Sequence, residues 1–105
     1  MAKPLETSCP IAQCLKLLSG AWTSEIIWYL RDSERRFGDL KRDLGTVSPK
    51  VLSSRLRDLE KRGILTRKVL PTSPPTVEYS LTDLGYELQP VLKSMAKVGE
   101  RLKRT

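Results

Sequence analysis

The sequence contains no histidine. That absence removes the side chain on which most general acid–base sites, hydrolase triads and zinc enzymes depend. No glycine-rich phosphate loop is present, because Gly63, Gly85 and Gly99 stand singly between charged or apolar residues. No apolar run approaches the ~18 residues that a membrane span requires. Residues 1–7 lack the apolar core of a secretory signal, so a cytoplasmic protein without membrane contact is expected. Cysteine is limited to Cys9 and Cys14, and two thiols without histidine make a poor zinc site. Nothing in the residues points to catalysis. No catalytic residue, metal site or cofactor is expected, and the protein is not expected to be an enzyme.

What is present is a basic middle. The chain has 105 residues, enough for one domain over 1–105 with a modest core. Its 39% hydrophobic and 30% charged residues suit a globular chain rather than a disordered one. Net charge is +7, and between Arg35 and Lys68 eleven bases meet only four acids. The rest of the chain, with eight of each, is balanced, so the whole excess lies in this segment. Segregated positive charge is the footprint of a polyanion partner, whereas a solvated face serving solubility is the plainer alternative.

Periodicity divides the chain into helices followed by a hairpin. The spacing predicts helices over 11–18, with Pro10 leading and Gly20 ending it, and over 22–30, where Trp22, Ile26, Ile27 and Leu30 recur. A short strand is expected at 35–37. Phe37, Leu40 and Leu44 mark a third helix that ends at Gly45. The fourth helix should start from Ser48 as N-cap and Pro49, and stop at Gly63. Its Leu52, Leu56 and Leu59 share one face; Lys50, Ser54, Arg57 and Lys61 lie opposite, with Ser53 on the flank. A short apolar helix, a turn and a basic amphipathic helix form a helix-turn-helix.

After Gly63 the period changes to alternation. Strands are expected over 65–70 and 77–81, separated by Pro71, Pro74 and Pro75, which cannot continue a ladder. A hairpin in that place is a wing. Thr82 then caps a last helix over 83–103, in which Pro90 should cause a kink. The expected fold is mainly α with a small β-hairpin wing, a winged helix-turn-helix. Its parts are two helices in 8–34, the helix-turn-helix in 35–63, the wing in 64–81 and a C-terminal dimerisation helix in 82–105.

Several fragments, in order and at fixed spacing, resemble the HxlR-type regulators, a family of winged-helix transcription factors. They run from Cys9-Pro10 and Gly20-Ala21-Trp22-Thr23 through Arg36-Phe37-Gly38-Asp39-Leu40 to Ser48-Pro49-Lys50-Val51-Leu52. Arg55-Leu56-Arg57-Asp58-Leu59-Glu60, Gly63-Ile64-Leu65-Thr66-Arg67, the stretch from Pro74 to Thr82 and Leu84-Gly85 continue it. The resemblance implies a homodimer built from the first and last helices, with recognition helices entering successive major grooves. It also implies control of nearby genes in response to oxidants, electrophiles or small molecules. Two positions depart from the family pattern. Thr76 stands where many relatives carry a base after the paired prolines, and Val98 where many carry a tryptophan.

Double-stranded DNA is therefore the expected partner. On the recognition helix Lys50, Ser53, Ser54 and Arg57 are the candidates for bases or phosphates. Ser48, at the helix N-terminus, is a candidate phosphate neighbour. Arg35 and Arg36 enter the helix-turn-helix, and Arg67 and Lys68 stand at the base of the wing, all four as backbone candidates. For each base the alternative is an exposed solvated charge. Trp22 and Trp28 fall in an apolar pattern and are expected in the core or an interface, not as stacking platforms.

The apolar stripe of the last helix is longer than a fold of this size needs, which argues for a second copy. Ile11, Leu15, Leu88, Leu92, Met95, Val98 and Leu102 are the expected interface residues. Cys9 immediately precedes a helix start, beside the positive end of that helix, so it is either a redox-sensing thiol or a partly buried inert one. Cys14 reads as interior. The competing functions are a winged-helix module for protein partners and an RNA-binding module. The first has no need of a basic recognition face, and the second usually shows exposed aromatics.

Overall fold

The computed structural model of the chain describes residues 9–104. The expectation of no apolar leader in residues 1–7 and the outermost bounds of the domain lie outside the described residues. The order of elements is α1 (Pro10–Leu18), α2 (Thr23–Tyr29), β1 (Arg35–Arg36), α3 (Phe37–Leu44), α4 (Pro49–Lys61), β2 (Leu65–Leu70), β3 (Thr76–Leu81), α5 (Asp83–Glu87) and α6 (Gln89–Lys103). The fold is mainly helical with one small antiparallel sheet, as the alternation of periods predicts.

Helix α4 forms where its capping chemistry dictates. Ser48 is extended, and its Oγ accepts a hydrogen bond from the Val51 amide at 3.1 Å. Pro49 takes the first helical position, where a missing N–H costs nothing. Leu52, Leu56 and Leu59 are buried. At the other end Gly63 adopts a left-handed φ of 75°; its amide reaches the Glu60 carbonyl, and the Ile64 amide reaches that of Leu59, both at 3.0 Å. This pair of bonds closes the helix and turns the chain into the wing.

In the sheet β3 is central, in the order β1-β3-β2. Its register places Tyr79 between Arg35 and Arg67, Glu78 between Arg36 and Lys68, and Leu81 opposite Leu65. Tyr79 and Leu81 are buried, whereas the alternate Glu78 and Ser80 are only partly so, which is the pattern of a sheet with one face on the core. Ile26, Ile27 and Leu30 of α2, Leu40 and Leu44 of α3, the α4 leucines, Ile64 and Leu65 fill that core from the helical side. Trp22 and Trp28 pack against it, and the Arg31 guanidinium lies 4.4 Å above the Trp28 ring.

Thr82 ties three elements together. Its amide donates to the Ile64 carbonyl at 3.0 Å and its hydroxyl to the Gly63 carbonyl at 2.6 Å. The same oxygen accepts from the Gly85 amide at 3.1 Å, capping α5.

Four expectations need correction. The segment 83–103 is two helices rather than one kinked helix. The break falls at Leu88, so Pro90 occupies the first turn of α6, where no intrahelical donor is lost. Leu88 and Leu92, assigned to the subunit interface, are each only 7% exposed and belong to the core of the single chain. They lie on the side of α5–α6 that meets the helical layer. Cys14 is exposed rather than interior, because the short α1 buries none of its residues fully. Trp22 is not the first residue of α2 but its N-cap, with a left-handed φ of 68°.

Candidate nucleic-acid interface

The outward face of α4 carries Lys50, Ser54, Arg57 and Lys61, all exposed. This follows from the leucine stripe: once Leu52, Leu56 and Leu59 are fixed in the core, the opposite residues of a 3.6-residue turn must face solvent. Among the described residues none of these three bases is in an ion pair, so their charge is available to a partner. Arg62, one turn later, is paired with Asp58 at 3.5 Å.

Beside this face, α3, α4 and the wing enclose a cleft of about 810 Å³. Arg36 and Phe37 line it at the start of α3, Ser53, Arg57 and Glu60 on α4, and Arg67, Val77 and Tyr79 on the wing. Ser53, on the flank of the helix, is half-buried at the edge of the cleft. Arg36, Arg57 and Arg67 thus converge from three elements that are far apart in sequence. Their mutual repulsion is tempered by Glu60 and by Asp39, which also holds Arg42 at 2.6 Å. Oxygens of an anionic backbone fit such a cluster, since guanidinium forks present paired donors.

The other candidates separate from this group. Ser48 is exposed at the α4 N-terminus, but its oxygen already serves the cap. Lys68 is exposed on the wing and stands directly across from Glu78, a cross-strand arrangement that offsets its charge. Arg35 is ion-paired with Asp43 of α3 and is therefore committed to the fold. Arg42 and Glu60 line the cleft without having been singled out; the spacing of Asp39 and Arg42 on one helix face is the signal that pairs them.

No group of histidine, cysteine or carboxylate side chains suited to a metal occurs among the described residues. No helix among them is long and apolar enough to cross a membrane.

A basic amphipathic helix after a short turn, followed by a hairpin, makes the chain a winged helix-turn-helix protein. A family model described as HxlR-like helix-turn-helix matches residues 17–105, and the chain belongs to that family. It is 44% identical over 91 residues to an HTH-type transcriptional regulator of Halalkalibacterium halodurans, covering 86% of this chain and 80% of that one. Among solved structures, a transcriptional regulator of the MarR family from Porphyromonas gingivalis superposes with a TM-score of 0.86 at 35% identity, over 94% of this chain and 97% of that chain. The redox regulator HypR in its oxidised form superposes with a TM-score of 0.81 at 34% identity, over 89% of this chain and 96% of its own.

Proposed function

We infer that the protein binds duplex DNA sequence-specifically as a homodimer, with α4 in the major groove and the wing beside it. The observation that carries this reading is the sorting of side chains on α4. Three bases without an ion pair among the described residues and two serines occupy the face and flank opposite three buried leucines. Cations near phosphates supply affinity, and a helix face in the groove supplies sequence discrimination. Arg36 and Arg67 extend the positive surface to both sides of the helix. The test is a salt-titrated comparison of duplex from upstream of the protein's own gene with scrambled duplex and with RNA. A preference of about a thousandfold or more for the upstream duplex is expected. Equal and strongly salt-dependent binding to all three would refute the reading in favour of a general polyanion grip.

A second copy of the chain is the partner assigned to α6. Val91, Met95, Val98 and Leu102 follow one another at helical spacing, and the last three are 52%, 54% and 66% exposed. They line an apolar groove of about 710 Å³. Ile11 and Leu15 of α1 add exposed apolar surface. A two-fold pair would read half-sites about one helical turn apart. Val98→Glu places a charge on this face without disturbing the core. It is expected to convert the dimer to a monomer in sedimentation analysis, with its helical content retained and its thermal midpoint lowered by the lost association; a dimer of unchanged stability would exclude this face.

An oxidant or electrophile is the signal favoured for this regulator, with Cys9 as its receiver. HypR, a neighbour in fold and sequence, is a redox regulator. In this chain Cys9 is the half-buried N-cap of α1, beside the helix on which Ile11 and Leu15 are displayed. Peroxide, which oxidises a single thiolate to a sulfenic acid and is itself reduced to water, is expected to weaken DNA binding by the wild type and to leave Cys9→Ser unaffected. A wild type that does not respond would remove Cys9 from the mechanism.

A further inference from the structure

The bases of α4 do not all serve the outward face. Arg55 is half-buried at the border of the leucine stripe, one residue before Leu56 and three after Leu52. Its Nε donates a 3.0 Å hydrogen bond to the carbonyl of Ala21, 34 residues earlier in the turn between α1 and α2. The guanidinium that charge counting assigns to a polyanion is therefore turned back onto the protein.

The geometry of that turn presents the acceptor. The Thr23 amide folds back to the Gly20 carbonyl at 3.1 Å, and the ladder of α2 begins with the Ile26 amide on the Trp22 carbonyl at 3.0 Å. Ala21 precedes the N-cap, so its carbonyl lies outside that ladder. The peptide unit bearing it is joined to Trp22, and the left-handed φ of 68° at Trp22 sets where the carbonyl points. A bulky residue adopts this conformation rarely, and it persists only where the surroundings impose it. Trp22 is itself packed against the core.

We propose that Arg55 is a positioning residue: without touching DNA it fixes α4 to the α1–α2 turn and so sets the rotation of the recognition helix. The inference rests on the reading that α4 contacts duplex DNA. Packing of Leu52, Leu56 and Leu59 holds α4 against the core but is non-directional. A planar guanidinium engaged through Nε has one orientation, and a lysine ammonium offers no equivalent donor at that point of the side chain. The turn also joins α2 to α1, the helix of Ile11, Leu15 and Cys9. A shift of α1 would thus reach the DNA-facing residues Lys50, Ser54 and Arg57 through one hydrogen bond.

The test compares wild type with Arg55→Lys, Arg55→Met and Arg57→Ala for binding to upstream and scrambled duplex across a salt series, with thermal midpoints recorded. Exchange of the Arg55 Nε–H is followed by NMR in the free protein. Both Arg55 variants are expected to lose about tenfold or more of the preference for upstream duplex and to keep their binding to scrambled duplex. The salt slope should be unchanged in Arg55→Lys, whereas the loss of any phosphate contact would lower it by about one; Arg57→Ala is the comparison for a side chain on the DNA-facing side of the helix. The wild-type Nε–H should exchange slowly. The proposal is overturned if Arg55→Lys retains the wild-type preference, or if Arg55→Met lowers the slope by about one with no loss of preference. A lowered thermal midpoint with unchanged preference would also overturn it, reducing the bond to a structural one. If the wild type has no sequence preference, the DNA reading fails. A protected Nε–H, with faster amide exchange in both Thr23–Ser24 and Val51–Leu52 of Arg55→Lys, would still support the link between turn and helix; a fast-exchanging Nε–H would overturn it.

Discussion

Replacing Lys50 and Arg57 together by alanine is expected to weaken binding to the operator duplex by several hundredfold while leaving the fold intact. Both side chains are exposed and free of ion pairs among the described residues, so no internal contact is lost. Each well-formed contact to a base edge is worth about 1–3 kcal/mol, and two of middling strength correspond to a factor of this size. Comparison across sequences identifies the role of each residue. If Arg57 reads a guanine, its single variant loses affinity for the operator and little for scrambled duplex. If it grips a phosphate, affinity falls equally for both and the salt slope drops by about one. The position of Arg57 favours a divided outcome, because it belongs both to the outward face of α4 and to the cleft where Arg36 and Arg67 converge. Lys50, in the first turn of the helix, stands beside the free amides that attract an anion. A double variant with wild-type affinity would show that this face does not meet DNA.

The parts of the fold legible in the sequence are those where one local rule acts alone. Ser48, Pro49 and Gly63 bound α4 because capping and left-handed termination depend on residues adjacent in sequence. The wing is legible because alternation and a proline-rich turn occur together. The last helix illustrates the limit. Leu88, Val91, Leu92, Met95, Val98 and Leu102 form one broad apolar band, and a band has two edges. Nothing in its periodicity says that Leu88 and Leu92 meet the chain's own core while Met95, Val98 and Leu102 remain at the surface. That division is set by how α6 crosses the helical layer, a long-range property.

Charge is ambiguous for a similar reason. Counting places Arg35, Arg55 and Arg57 in one basic segment, but the direction of a long side chain depends on acceptors elsewhere in the chain. Asp43 claims Arg35, the Ala21 carbonyl claims Arg55, and only Arg57 is left to the surface. Cys14 departs from expectation because thiols are usually buried, whereas α1 is too short and too peripheral to bury its outer side.

Gly85→Ala is expected to be the most destabilising of the glycine-to-alanine substitutions, costing about 3 kcal/mol or more. The β-carbon would stand far inside van der Waals contact of the carbonyl oxygen of Ile64 and 3.0 Å from Leu81 Cδ2. Neither neighbour can yield easily. The Ile64 carbonyl accepts from the Thr82 amide, and Leu81 is buried in β3 opposite Leu65. Overpacking of a filled core costs about 1–3 kcal/mol, and here the obstacle is backbone rather than a movable side chain. A domain of this size has about 5–15 kcal/mol in total, so the loss is a large share of its stability. Gly38→Ala is the matched control. Gly38 lies within α3 with nothing near its absent side chain, so alanine there should stabilise by about 0.5–1 kcal/mol. Urea denaturation of both variants reads the difference directly, and equal stabilities would mean that α5 can withdraw from Ile64. The consequence for DNA binding follows from the same contact. Where Gly85 touches Ile64, the end of the recognition helix, the root of the wing and the start of the C-terminal helices meet, held by Thr82. Wedging them apart would misplace the wing relative to α4 and α6 relative to both, so Gly85→Ala should lose operator affinity even at temperatures where it remains folded.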